Sequence, residues 1–232
     1  MKKAVNIIGL VFIAAAVCLL LYPKVINRYN KRNTELKIKE FEETVSVQTE
    51  ENTALIDKLR EEIEAYNLSL YENGQEIQDP FFYEGESVDL TEYGFENNMF
   101  GYIEIPGIDV KLGIYLGATW ENMYLGAVHL DNTSMPVGGI NTNCVIAAHR
   151  GAGRYGDMFR NINKIQLGDS VKIANPWEEL EYTVTDTFAI SPDDIDKILI
   201  QENKDMLTLV SCHPYGSSKY RYIVYCERSG DN

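Results

Sequence analysis

Cysteine is scarce in this 232-residue chain, which has four. One of them, Cys18, lies inside an apolar run. The remaining Cys144, Cys212 and Cys226 are too few and odd in number for a disulfide framework, so at least one thiol is free. Positive charge is scarce as well: 21 Lys and Arg stand against 35 Asp and Glu, a formal charge of −14. Phosphate backbones reward clustered Lys and Arg, and this balance argues against a nucleic-acid surface. Internal repeats and low-complexity tracts are missing, which sets aside solenoids and disordered arrays. Neither Cys144 nor Cys226 stands at metal spacing from a histidine, and no acidic loop follows an EF-hand pattern, so neither a metal nor a cofactor is expected.

Apolar material is plentiful. At 45% apolar and 11% aromatic residues the chain has ample stock for a buried core, with room for one compact domain plus appendages. The run Ala4 to Tyr22 is interrupted only by Asn6, follows Lys2 and Lys3, and is long enough to cross a hydrocarbon core. It exceeds the apolar stretch of a cleaved signal peptide, and no A-x-A site follows. "AAVC" is a poor lipoprotein site, because Val17 precedes Cys18 and a leucine run follows. Residues 1–23 therefore read as an uncleaved signal anchor. Lys24, Arg28, Lys31 and Arg32 outnumber the two lysines ahead of it, so flanking charge does not decide orientation.

Residues 24–70 read as a helical extension. Leu55, Leu59, Ile63, Tyr66 and Leu70 follow three- and four-residue spacing, which gives one apolar stripe for packing on a domain behind it and is too short for a sustained heptad. Gly74, Asp79-Pro80 and Gly85 break that pattern, and residues 71–97 read as a loop region. Its "DPFFY", Asp79 to Tyr83, carries three consecutive aromatics. These are costly to leave in water, and on their own they predict a patch packed on the flank of the domain. From 98 to 232 the texture is short apolar runs between turn residues: "GYIEIPGIDVKLGIYLG", "NCVIAAH", "DSVKIANP", "LEYTVTDTFAI", "MLTLVSC" and "YRYIVYCE". At least six strands with little helix between them predict a closed or sandwich-like β domain.

Three side chains in that domain are candidates for chemistry. In "TLVSCHPYGSSKYRYIVYCER", Leu207, Leu209 and Ser211 alternate with Thr208, Val210 and Cys212, the period of a strand. Successive strand residues leave on opposite faces, so His213 should not reach the thiol of Cys212, and a base must come from elsewhere. His149 stands at the exit of "NCVIAAH", before a Gly-rich loop, and meets Cys212 if the two strands are neighbours. Arg221 begins the strand after the turn "HPYGSSKY", so a hairpin returns its guanidinium toward Cys212 at the mouth of a barrel. Singly, each has an ordinary reading as a core thiol, a capping histidine or a solvated arginine. Cys144 and Cys226 read as core residues, and His129 has no evident partner.

Taken together, "TLVSC", "AHRG" and "RYIV" stand in the order and context that sortase transpeptidases show, and the sequence resembles that family over roughly residues 65–228. "GYIEIPGIDVKLGIY", "HLDNTSMPVGGINTNCVIAAHRG" and "CHPYG" resemble the class C, pilin-polymerising branch. Ser211 departs from the threonine usual before the cysteine, His213 from the threonine usual after it, and the sequence shows no second hydrophobic run near its end. The resemblance implies a sortase-type β-barrel on the outer face of a Gram-positive-type cell. It implies that Cys212 attacks the Thr-Gly bond of an LPxTG-like sorting signal to form a thioacyl enzyme. His149 then acts as acid, Arg221 as oxyanion donor, and an amine from a pilin lysine or cell-wall peptide resolves the intermediate. It also implies that "DPFFY" is a lid, with Asp79 paired to Arg221 and Phe81 over the thiol. Rival readings are a sortase of another class, a secreted cysteine peptidase, which usually places Cys before His, and an anchored β module with an incidental thiol.

Overall fold

The computed structural model describes residues 2–46, 49–95, 98–151 and 156–230. The 97/98 boundary of the expected loop region and the middle of the Gly-rich loop after His149 lie outside them. Helix α1 runs unbroken from Lys2 to Ser46, and Pro23 sits within it, so the expected step from anchor to extension at 23/24 is no break in the backbone. Its apolar first half is exposed, and among the described residues it is the one helix long and apolar enough to cross a membrane. Helix α2 spans Glu50–Asn73. The stripe read from its spacing is the buried one: Leu59 and Ile63, with Ile38 and Phe41 of α1, pack on Phe95, Phe100 and Tyr115. Asn67 sits on the same face, and its Oδ1 accepts the Met135 N–H at 2.8 Å.

Eight strands follow: β1 Gly101–Ile105, β2 Val110–Leu116, β3 Ala127–His129, β4 Thr142–Ala147, β5 Ser170–Ala174, β6 Glu179–Ile190, β7 Asp205–His213 and β8 Tyr220–Arg228. A short helix α3, Trp120–Leu125, is capped by the Thr119 hydroxyl and stands between β2 and β3. The strands close into a barrel in the order β1-β2-β3-β4-β7-β8-β6-β5, with β5 pairing back to β1. Closure removes free edges, which suits strands this rich in Ile and Val. The pairs β2–β3 and β4–β7 are parallel and the other six antiparallel.

Period two explains the two sides of the wall. Ile103 and Ile105, Val171 and Ile173, Leu180 and Val184, Leu207 and Leu209, and Val224 point into one interior cluster. Cys144 and Cys226 are buried in it as free thiols, as core residues should be. The strands β4, β7 and β8 are also covered outside: Val145, Ala147, Val210 and Ile223 form a second cluster with Ile77, Leu130 and Ile198. Those three strands thus carry continuous apolar runs, because both faces are dry.

Candidate active site

The register of the wall brings the candidates together. In the parallel pair β4–β7, Ala147 lies opposite Val210, and the Ala148 N–H donates to the Val210 carbonyl. Two residues further on, that register sets His149 level with Cys212. In the antiparallel pair β7–β8, Cys212 lies directly opposite Arg221. Parity then decides the face. Ala147, Val210 and Ile223 belong to the outer cluster, and His149, Cys212 and Arg221 continue their alternation. The three groups therefore meet on the outer surface of β4–β7–β8. The hairpin sets Arg221 opposite Cys212 at the end of β7 and the start of β8, and side-chain alternation turns both side chains to the outer face. His213 has the opposite parity, and its ring lies 5.3 Å from that of Tyr222, away from the thiol.

Asp79 and Phe81 cover this surface. The Arg221 guanidinium donates to Asp79 through both Nε (2.7 Å to Oδ1) and Nη2 (2.5 Å to Oδ2), and both residues are buried, 2% and 8% exposed. Nη1 donates to the carbonyls of Ser218 and Tyr220. The N–H groups of Phe82 and Tyr83 fold back on the Asp79 carbonyl in a turn that Pro80 initiates. That turn sets the Phe81 ring 4.9 Å from the Arg221 guanidinium carbon and 6.1 Å from the His149 ring. Phe81 is thus within reach of both groups that the strand register sets level with Cys212. Ile77, just ahead, is buried in the outer cluster and fixes the segment's entry.

Under this cover the Cys212 thiol is pushed above its ordinary value, first by burial and then by the Asp79 carboxylate, while Arg221 and Arg150 pull the other way. Arg150 escaped the sequence reading. It is buried, its Nη1 donates to the Cys212 carbonyl (3.0 Å), its Nε to the Arg160 carbonyl (3.0 Å), and its Nη2 to the Asn163 amide oxygen. Nη1 also lies 3.3 Å from His213 Nδ1. A guanidinium only donates, so that nitrogen accepts and the His213 ring is neutral, in line with the downward shift from burial and Arg150. Arg150 shares the parity of Ala148, which the barrel turns inward, and a charge on a buried face needs partners. Ser211 keeps a use for its hydroxyl, donating to the Ala148 carbonyl at 2.8 Å and tying β7 to the end of β4.

The other candidates lie elsewhere. Burial raises the Cys144 and Cys226 thiols well beyond ordinary reactivity. His129 does have partners: it is buried, and its Nε2 is 3.1 Å from the carbonyls of both Thr133 and Ser134. Among the described residues no group of three or more His, Cys, Asp or Glu is placed to hold a metal.

Residues 103–229 match the Sortase domain family. Over 131 residues the chain is 28% identical to Sortase D of Bacillus subtilis (strain 168), covering 55% of this chain and 63% of that protein. It thus spans less than two thirds of the length of the curated relatives it matches. The fold superposes on the crystal structure of Streptococcus pneumoniae Sortase C with a TM-score of 0.70 at 32% identity, covering 83% of this chain and 96% of that one. Sortase C from Clostridium perfringens SM101 gives a TM-score of 0.66 at 33% identity, covering 83% and 98%.

Proposed function

Because the chain belongs to the sortase family, we propose that it is a membrane-anchored cysteine transpeptidase of the class C type. It cleaves an LPxTG-like sorting signal between Thr and Gly and passes the acyl group to an amine, a pilin lysine, outside a Gram-positive-type cell. The convergence of Cys212, His149 and Arg221 on one outer surface carries this reading. The Cys212 thiolate adds to the Thr carbonyl, Arg221 donates to the oxyanion, and His149 protonates the leaving Gly amine as the C–N bond breaks. The amine acceptor then attacks the thioester, gives up a proton to His149 and releases Cys212. Residues 1–23 serve as anchor, 24–70 as helical spacer, 71–97 as lid region and 98–232 as catalytic barrel. Arg221 cannot serve Asp79 and an oxyanion at once, so in this reading the enzyme rests closed over the buried pair and opens to bind substrate.

Mass spectrometry of the full chain with an LPxTG-type peptide and competing amines tests this. The expected products are a Cys212 acyl adduct lacking the Gly-side fragment, then a conjugate to a pilin-type lysine peptide in preference to a cell-wall-type peptide. Cys212→Ala should give neither, His149→Ala almost none, and His213→Ala most of the wild-type yield. If His213→Ala were as inert as Cys212→Ala while His149→Ala turned over normally, the assignment of the acid would be wrong.

A further inference from the structure

The barrel leans on α1 close to the end of the apolar run. Asn27 Nδ2 donates to Asp157 at 2.6 Å, and Lys31 Nζ lies 3.3 Å from Asp109. Because α1 is one helix, height along it is simple to count: at about 1.5 Å per residue, Asn27 stands ~8 Å and Lys31 ~14 Å beyond Tyr22. Each polar layer of a bilayer is roughly 5–8 Å deep. With the apolar run in hydrocarbon, the barrel edge that carries Asp157 reaches the headgroups.

That edge also displays apolar surface. Helix α3 buries Asn122 and Met123 and turns Trp120 and Tyr124, one helical turn apart, outward at 48% and 49% exposure, with Leu125 beside them. Tyr124 and Leu125 line a groove of about 400 Å³ whose facing wall is α1 from Asn27 to Thr34. On α1, Val25 and Tyr29 are exposed, and residues 24–33 hold Lys24, Arg28, Lys31 and Arg32 with no acidic residue. The sequence up to residue 33 carries six basic and no acidic residues, which leaves −20 on the rest of a chain of net −14. Residues 24–33 are thus a basic collar on an otherwise acidic chain, and their charge attracts an anionic surface.

We propose that α3 is a second membrane contact, made by the catalytic barrel itself: Trp120 and Tyr124 seat in the interfacial layer of the bilayer that α1 crosses. This rests on α1 being the membrane anchor. Such rings suit that layer because the body is apolar and the N–H or O–H stays hydrated. With the barrel packed on α1, one spanning helix still leaves the tilt of the whole molecule free, and a second contact fixes it. The loop leaving His149 carries Asp157, and the lid's Glu84 accepts the Trp120 backbone N–H at 3.3 Å. Both borders of the site are thereby attached to elements at the membrane surface, and the cleft is presented to polypeptides held in the same bilayer.

The chain has two tryptophans, which makes the test direct. Trp177 packs with Phe100 and under Arg60 of α2, in the cluster that holds Phe41. Phe41 is ~28 Å along α1 from Tyr22. Full-length chain in phosphatidylcholine/phosphatidylglycerol vesicles is compared with and without lipid nitroxide-labelled near the headgroup. Trp177→Phe, reporting Trp120, should show roughly twofold quenching, and Trp120→Phe, reporting Trp177, almost none. If Trp177→Phe does not fold, the difference between unsubstituted chain and Trp120→Phe gives the same quantity. Flotation with vesicles but an unquenched Trp120 overturns the contact and leaves the anchor standing. Equal quenching of both tryptophans overturns it too, because another face then meets the bilayer. A chain that does not float removes the anchor and the proposal with it.

Discussion

Removing the Asp79 carboxylate should open the site. In Asp79→Ala, Arg221 loses two charge-assisted hydrogen bonds but keeps the carbonyls of Ser218 and Tyr220, and it gains water once the lid lifts. Net values for hydrogen bonds to charged groups suggest about 2–3 kcal/mol of lost closure energy, less than the ~3–5 kcal/mol for stranding a charge that stays buried. At about 1.4 kcal/mol per tenfold, the open population rises roughly 30- to 150-fold. The thiol shifts the same way: loss of the lid's burial and of the Asp79 charge both lower a pKa now held up, while Arg221 and Arg150 remain to favour thiolate. The assay is the rate of iodoacetamide labelling of Cys212 at neutral pH, read peptide by peptide, with buried Cys144 and Cys226 as internal controls. Labelling of Cys212 no faster than wild type in a folded variant would refute the lid. Faster labelling of all three thiols would mean general unfolding.

Other expectations are simpler. Arg221→Lys should lose most transpeptidation, since a point charge cannot replace the planar fork, and near wild-type turnover would take Arg221 out of the oxyanion role. Arg150→Met strips partners from the carbonyls of Cys212 and Arg160, so it should cost about 2–4 kcal/mol in thermal unfolding and, in the Asp79→Ala background, slow thiol labelling at neutral pH. Arg150→Lys should recover part of the labelling but little of the stability, and full recovery of both would deny the fork a role. His129 is buried and its pKa pushed down by that burial, so the unfolded chain takes up a proton below about pH 6.5 that the fold refuses. The stability this confers is present above that pH and should fall on acidification by up to ~1.4 kcal/mol per pH unit. His129→Gln should flatten the slope between pH 7 and 5, and an unchanged slope would refute this.

Sequence alone determined what depends on spacing along one strand or helix. The apolar run before Pro23, the stripe through Leu59 and Ile63, the short strands and the opposed faces of Cys212 and His213 all follow from local periodicity. The choice of Cys212, His149 and Arg221 as one set came from the resemblance of their linear motif order to the sortases, not from periodicity. Which strands become neighbours is not local. That β4 runs parallel beside β7 and levels His149 with Cys212 was only a condition until the barrel closed. That the three side chains face outward needed the inside of the barrel to be identified. Arg150 went unseen because its partners, the Cys212 carbonyl and Asn163 in a short 3-10 turn, are brought to it only by the fold. Asp79 and Arg221 are 142 residues apart, and burial is what turns two ordinary surface charges into a bidentate pair. Tertiary structure alone decides this, because both the strength of an ion pair and the height of a loop above a membrane depend on what surrounds them in space.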